Sequence, residues 1–296
     1  MASVEIEVHP LTQNPTEAWQ KISVKQPKGH DPQVLPLDEP IYENKVRFVC
    51  MSDTHSQTAK LPTNFIPDGD VFLHAGDFTK VGRPGEVVDF NAFLKTLPHK
   101  HKIVIAGNHD LTFDPTFLDP GQKREDLERC FRVKPNSVDE FLKKRNITSM
   151  KQVLKDGVYL EDSETSVHGV RIYGSPWQPE FCDWGFNLDR GQPCLDKWNK
   201  IPEGIDVLMT HGPPIGYGDL CVSDQRAGCV ELLTSIQKRI KPKFHIFGHI
   251  HEGYGAWSDG TTSYINASTC NLRYLPVNPP IIFDVDLPEG YTKYEL

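Results

Sequence analysis

No apolar run in this 296-residue chain approaches the roughly 20 residues that a bilayer-spanning helix needs, so no helical membrane span is expected. The opening MASVEIEVHP has no basic segment before a hydrophobic one, and neither a Gly at position 2 nor a C-terminal cysteine box is present. A secretory leader and the common lipid anchors are therefore not indicated. C-x-x-C pairs are missing too. The seven cysteines, Cys50, Cys130, Cys182, Cys194, Cys221, Cys229 and Cys270, are odd in number and widely spaced, which argues against a disulfide scaffold or a thiolate zinc site. Positive charge is short: 32 Lys and Arg face 40 Asp and Glu, a net charge of -8, so duplex nucleic acid is not an expected partner. The local basic clusters, Lys143-Lys144-Arg145 and Lys238 through Lys243, read as solvated helix ends. The expectation is a reduced, cytoplasmic protein with no membrane partner.

What is present is an ordinary globular composition, 38% hydrophobic and 24% charged, with enough chain for a sizeable core. Residues 1–44 read as an extended N-terminal arm, because Pro27, Pro32, Pro36 and Pro40 recur among polar residues and forbid a long helix. Such an arm could wrap the core or join a second copy into a homodimer. From residue 45 to 296 the pattern is one domain alternating strand and helix. Helices are expected at Pro84–Leu97, Val138–Leu154 and Cys229–Ile240. Strands beyond those discussed next are expected at Gly157–Leu160, Val167–Tyr173, Thr261–Ile265 and Pro280–Val285. So many strands would overfill one open sheet, and the economical architecture is α/β with two stacked sheets.

The informative stretch is Val46–His55, VRFVCMSDTH, an apolar β-branched run that closes on Asp53 and His55. A strand puts residues i and i+2 on one side, so both side chains could point beyond its carboxyl end, where open α/β sheets bind ligands. Four further runs end alike. Asp70–His74 leads to Gly76-Asp77, Lys102–Ala106 to Gly107-Asn108-His109-Asp110, Ile205–Thr210 to His211, and Phe244–Phe247 to Gly248-His249-Ile250-His251. Asp53, His55, Asp77, Asn108, His211, His249 and His251 are all oxygen or nitrogen donors, a set suited to manganese, iron, zinc or a similar divalent ion. Seven ligands exceed one four-coordinate ion and divide between two metals if one carboxylate bridges, for which Asp77 in its Gly-Asp turn is placed. His74 and His245 read as packed within strands, and His9, His30, His99, His101 and His168 as loop residues.

The ordered blocks D-T-H (53–55), G-D (76–77), G-N-H-D (107–110), H-G (211–212) and G-H-I-H (248–251) resemble the calcineurin-like metallophosphoesterase superfamily over about residues 46–270. The segments SPWQPEFCDWGFN (175–187), THGPP (210–214), GHIHEGYG (248–255) and YINAS (264–268) are similar to its MPPED or UPF0046 branch, grouped with class III cyclic nucleotide phosphodiesterases. The resemblance implies a four-layer α/β/β/α sandwich (the metallo-dependent phosphatase fold) with a dinuclear centre at the strand ends. By motif position, Asp53, His55 and His251 would hold one cation and Asn108, His211 and His249 the other, with Asp77 between. A vertebrate member of the branch has Gly at the first His of G-H-x-H; this chain keeps His249, so the implied ligand set is complete. The implied step is in-line attack of a metal-bridging hydroxide on phosphorus. His109 would protonate the leaving oxygen, with Asp110 as its orienting partner.

The implied activity is a phosphodiesterase acting on small diesters such as cyclic nucleotides, with two divalent ions, manganese favoured. A nucleotide, AMP- or GMP-like, would be a product or inhibitor. The aromatic cluster Trp177, Phe181, Trp184 and Phe186 could stack a base or form a small loop core, with Trp177 and Trp184 as the candidate base contacts. Tyr254 is a second candidate for lining the pocket, and Asn108 and His109 would touch the phosphate. The alternatives are a phosphomonoesterase or protein phosphatase, and a nucleotide-binding scaffold with slow turnover.

Overall fold

A computed structural model describes residues 5–119 and 121–293. Two sheets face each other. The first has the order β13-β1-β2-β3-β4, built from β1 (Lys45–Met51), β2 (Val71–Ala75), β3 (His101–Ile105), β4 (Val158–Tyr159) and β13 (Ile281–Asp286). The second runs β11-β12-β10-β9-β6-β5, with β5 (Ser163–Val167), β6 (Val170–Ser175), β9 (Val207–Thr210), β10 (Phe244–Phe247), β11 (Gly255–Ser258) and β12 (Ser263–Asn266). A short parallel pair, β7 (Gln178–Pro179) and β8 (Asn187–Leu188), braces the aromatic loop. Strands β1 to β4 are parallel, as are β6, β9, β10 and β12, while β13, β5 and β11 pair antiparallel at the edges.

The four layers follow from strand alternation. In β1 the even residues Val46, Phe48 and Cys50 enter the core between the sheets, while Val49 and Met51 face the first sheet's helices. In β10, Phe244 and Ile246 enter that same middle core and Phe247 faces the second sheet's helices. Outside the first sheet lie α2 (Pro84–Thr96), α3 (Arg124–Arg129) and α4 (Pro135–Arg145); outside the second lie α5 (Gln192–Trp198) and α6 (Val230–Ser235), which runs into a π turn at Ile236–Ile240. The result is the expected α/β/β/α sandwich.

Local departures from the expectations have local causes. The helix expected over Val138–Leu154 stops at Arg145 because Asn146 turns left-handed (φ 53°), and Ser149 then caps a separate turn at Met150–Val153. The strand expected over Val167–Tyr173 is two strands, reversed at His168-Gly169, whose φ values of 48° and 82° suit a tight hairpin. His101 lies in β3 rather than in a loop, whereas His99 is in the loop before that strand, as expected, and is buried there. The arm is not extended throughout. Pro15 starts an eight-residue helix, α1 (Pro15–Ile22), with Asn14 accepting from the Glu17 N–H. Its Ala18, Trp19 and Ile22 pack on the second sheet's outer core, and buried Glu231 accepts from the His9 N–H and the Thr12 hydroxyl.

Candidate metal centre

The carboxyl ends of β1, β2, β3, β9 and β10 open at one edge, where an isolated parallel bridge between Ser52 and Ser268 joins the two sheets. The residues that matter there are off the strands. β1 stops at Met51, and Asp53 and His55 both take left-handed backbone (φ 50° and 41°), as do Asp77 (56°) and His249 (68°). Strand alternation therefore does not bring Asp53 and His55 together, contrary to expectation. Instead the Asp53 N–H donates to Gly76 O and the His55 N–H to Asp77 O, each at 2.9 Å, so the loop after β1 is laced to the loop after β2. Positive φ at a non-glycine costs on the order of 1–2 kcal/mol, and four such residues in one cluster mark a built site.

Seven side chains converge. His251 Nε2 lies 3.4 Å from Asp53 Oδ1 and 3.1 Å from His55 Nε2, and His55 Nε2 is 3.9 Å from Asp53 Oδ1. Asn108 Oδ1 lies 2.9 Å from both His211 Nε2 and His249 Nδ1. Between these two groups sits Asp77, whose Oδ2 is 3.8 Å from His55 Nε2 and 3.4 Å from His211 Nε2. The cluster is buried except for the partly open His249.

The donors fit divalent cations. His211 Nδ1 donates to Ala75 O at 2.8 Å and His251 Nδ1 to Asn271 O at 3.1 Å, so the Nε2 atoms are the ones turned inward, where a cation would take the place of any proton they carry. Two such nitrogens 3.1 Å apart, on His55 and His251, have no favourable contact without a cation or proton between them. His55 Nδ1 is buried without a hydrogen-bond partner. Burial pushes His55 and His249 down to about 3, keeping both neutral as ligands must be. Burial opposes the charge on His211 as well, but Asp77 outweighs it and raises that imidazole to about 9. Asp77 and Asp53 stay well below the usual carboxylate range: burial works against their charge, and the imidazoles of His211 and His251 respectively overcome it. Three groups, Asp53 with His55 and His251, Asp53 with Asp77 and His211, and His55 with Asp77 and His109, each bring ligand atoms within 4.8 Å of one another.

Glycines let these loops close in. A Cβ on Gly248 would fall 2.0 Å from Asp53 Oδ2 and 2.2 Å from Ser52 Oγ, and one on Gly107 would fall 2.3 Å from Asp77 Oδ1. Gly248→Ala is expected to leave the fold intact and weaken metal binding roughly 10- to 100-fold, the usual scale for disturbing a ligand's support. Metal titration of the purified variant checks this, and wild-type affinity would show that Asp53 is not a ligand.

His109 stands at the rim. Its backbone N–H donates to Asp77 Oδ1 at 2.7 Å, its Nδ1 to Lys80 O at 2.7 Å, and its Nε2 lies 4.0 Å from Asp77 Oδ2. Asp110 does not orient this ring, as the sequence reading expected. Its carboxylate accepts from the N–H groups of Gly107, Asp77 and Thr79 and from the Thr79 hydroxyl, pinning the loops after β2 and β3 together. Burial and neighbouring Asp77 push it up to about 8 against the pull of those donors. The Lys80 carbonyl is the orienting group.

Of the aromatics, Trp184 stacks on His109 with centroids 3.9 Å apart, because the Gly185 N–H donates to Asn108 O and docks the loop there. Trp177 is elsewhere, correcting its assignment as a substrate contact: its Nε1–H donates to Asp162 Oδ2, Lys197 Nζ sits 3.7 Å over its ring, and it packs against Phe186. Tyr254 lines a recess shared with His251. Exposed Phe181, of the same aromatic stretch, lies 5.5 Å from His249. Two residues at the cluster are not among the expected site residues: Tyr274, whose ring meets those of His55 (4.8 Å) and His251 (5.4 Å), and Ser268, within YINAS, whose hydroxyl donates to Asp53 Oδ2 at 2.9 Å.

A model of the family described as calcineurin-like phosphoesterase matches residues 46–253, a span that holds all seven converging side chains and His109. The chain belongs to that family. This phosphoesterase is 50% identical over 291 residues to metallophosphoesterase domain-containing protein 1 of Homo sapiens, covering 96% of this chain and 86% of that protein. A UPF0046 protein of Caenorhabditis elegans is 46% identical over 288 residues, covering 97% of this chain and 72% of its own length. The likeness places this chain in the MPPED and UPF0046 branch, as a phosphoesterase hydrolase whose His and Asp clusters could hold metal. Among the described residues no helix is long and apolar enough to cross a membrane.

Proposed function

We propose that this phosphoesterase cleaves small phosphodiesters, nucleotide diesters among them, with two divalent cations, manganese favoured. One observation carries the reading: Asp77 stands within 4 Å of an imidazole from each of the two ligand groups, the place of a carboxylate shared by two ions. When bound, such a pair of ions supplies an activated water near neutral pH and stabilises charge on the phosphoryl oxygens.

The chain's own residues do the rest. The Lys80 carbonyl holds the His109 Nδ1 proton, so Nε2 is the nitrogen free to exchange a proton with a leaving oxygen. Trp184 and Tyr274 limit that ring's motion and shield it from water. Preference for a diester over a monoester has its own support. The polar contacts described above for the seven clustered residues run to imidazole, carboxylate, amide, hydroxyl and backbone groups, so the metals are the positive charge that these contacts would bring to a phosphate.

The test is a panel of 2',3'- and 3',5'-cyclic nucleotides, a chromogenic diester, mononucleotides and phosphopeptides, assayed with added manganese alongside metal analysis. Turnover of diesters well above monoesters is expected; turnover of none would favour the nucleotide-binding scaffold. In the same panel Trp184→Ala is expected to raise KM for nucleotides roughly 5- to 100-fold, the loss of one stacked base. Trp177→Ala should act alike on every substrate and lower Tm, since its contacts lie within the fold. A KM effect of Trp177→Ala confined to nucleotides would reverse that assignment.

A further inference from the structure

His251 has a second face. Away from the clustered ligands it forms one wall of a recess of about 440 Å³, whose other sides include Tyr254, Leu272, Leu275, Arg273 and Glu252. Leu272 and Leu275 are 53% and 47% exposed and both line this recess, so together they offer an apolar surface to a ligand. The turn is strongly held. Asn271 Oδ1 accepts from the N–H groups of Arg273 and Leu275, and the Asn271 N–H donates to Leu275 O. Asn271 O, at the same time, accepts from His251 Nδ1. One short segment thus orients a candidate ligand, lays Tyr274 across the metal side and turns Leu272 and Leu275 to the recess. Tyr254 is pinned by its hydroxyl donating to Pro279 O at 2.9 Å.

We infer that this recess receives an apolar arm of an acyclic phosphodiester, the ester substituent that stays on phosphorus when the leaving group departs; the inference rests on the phosphodiesterase reading above. The charges favour an uncharged arm. One residue of each sign, Arg273 and Glu252, borders the recess, so its lining carries no net charge to draw a charged arm. A compact cyclic diester has no separate arm to place there. An aliphatic arm would cover Leu272, Leu275 and the Tyr254 ring, and each methylene removed from water adds binding in proportion to the area covered.

The test is a series of methyl, butyl and hexyl 4-nitrophenyl phosphodiesters with the manganese-loaded enzyme. kcat/KM is expected to rise roughly twofold per methylene, less than full transfer because the recess is open on one side. Leu272→Asn with Leu275→Asn should flatten the hexyl-to-methyl ratio, a quantity from which any general loss of activity cancels. Equilibrium binding gives a second readout: hexyl methylphosphonate should shift the labelled methyl resonances of Leu272 and Leu275, and methyl methylphosphonate should not. Hydrolysis with no dependence on chain length, or equal resonance shifts from both phosphonates, overturns the inference alone. No hydrolysis of any diester in the series overturns the phosphodiesterase reading and this one with it.

Discussion

His109→Ala is expected to keep its metals and lose roughly 10²- to 10⁴-fold in turnover of a diester with an alkoxide leaving group. The reason for retained metal is that His109's link to Asp77 is made by its backbone N–H, which alanine also has. The candidate ligands are likewise held by other elements: His211 by Ala75 O, His251 by Asn271 O, and Asp53 by the His249 N–H and the Ser268 hydroxyl. What the variant removes is the ring whose Nδ1 is fixed on Lys80 O and whose Nε2 faces the cluster. A 4-nitrophenolate departs without a proton, so the chromogenic diester should suffer far less than a ribose-leaving substrate. Measuring both substrates and the metal content of one preparation settles the role. Equal losses on the two leaving groups would mean that His109 is not the acid, and loss of metal would make it structural.

The second large effect is at Asp77. Asp77→Asn preserves size and can still accept the His109 N–H, yet it removes the negative charge shared by the two ligand groups. The variant is expected to retain at most about one of two cations and to lose more than 10³-fold in activity. Stability gives an independent measure. Wild-type protein should lose several degrees of Tm when a chelator strips its metals, because bound metal stabilises the native state by mass action. In Asp77→Asn that difference should shrink strongly. An unchanged metal content would remove Asp77 from its bridging place and with it the case for a paired centre.

How much of this was open to reading from the residues depends on the kind of signal. Strand positions were legible because burial on both faces leaves uninterrupted apolar runs, as in Val46–Met51 and Phe244–Phe247. The clustered polar residues were legible because each follows such a run directly. Trp177 and Trp184 could not be told apart: both are tryptophans in one loop, and only the docking of Gly185 on Asn108 sends one to His109 while Asp162 and Lys197 claim the other. Tyr274 left no trace, since the turn that aims it depends on backbone donors meeting the Asn271 side chain. Asp110 misled for a related reason. Adjacency to His109 suggested contact, but the 3-10 turn that follows, Leu111–Phe113, leaves its carboxylate facing the loop amides.

By itself the sequence determined the layered α/β architecture, the order of the blocks and the donor chemistry, for these follow from hydrophobic periodicity and residue type along the chain. Tertiary structure alone decided which donors share a centre, which nitrogen of each imidazole faces inward and which aromatic rings reach the rim. Those depend on left-handed turns at Asp53, His55, Asp77 and His249, and on hydrogen bonds between loops as far as 215 residues apart, neither of which leaves a periodic mark in the chain.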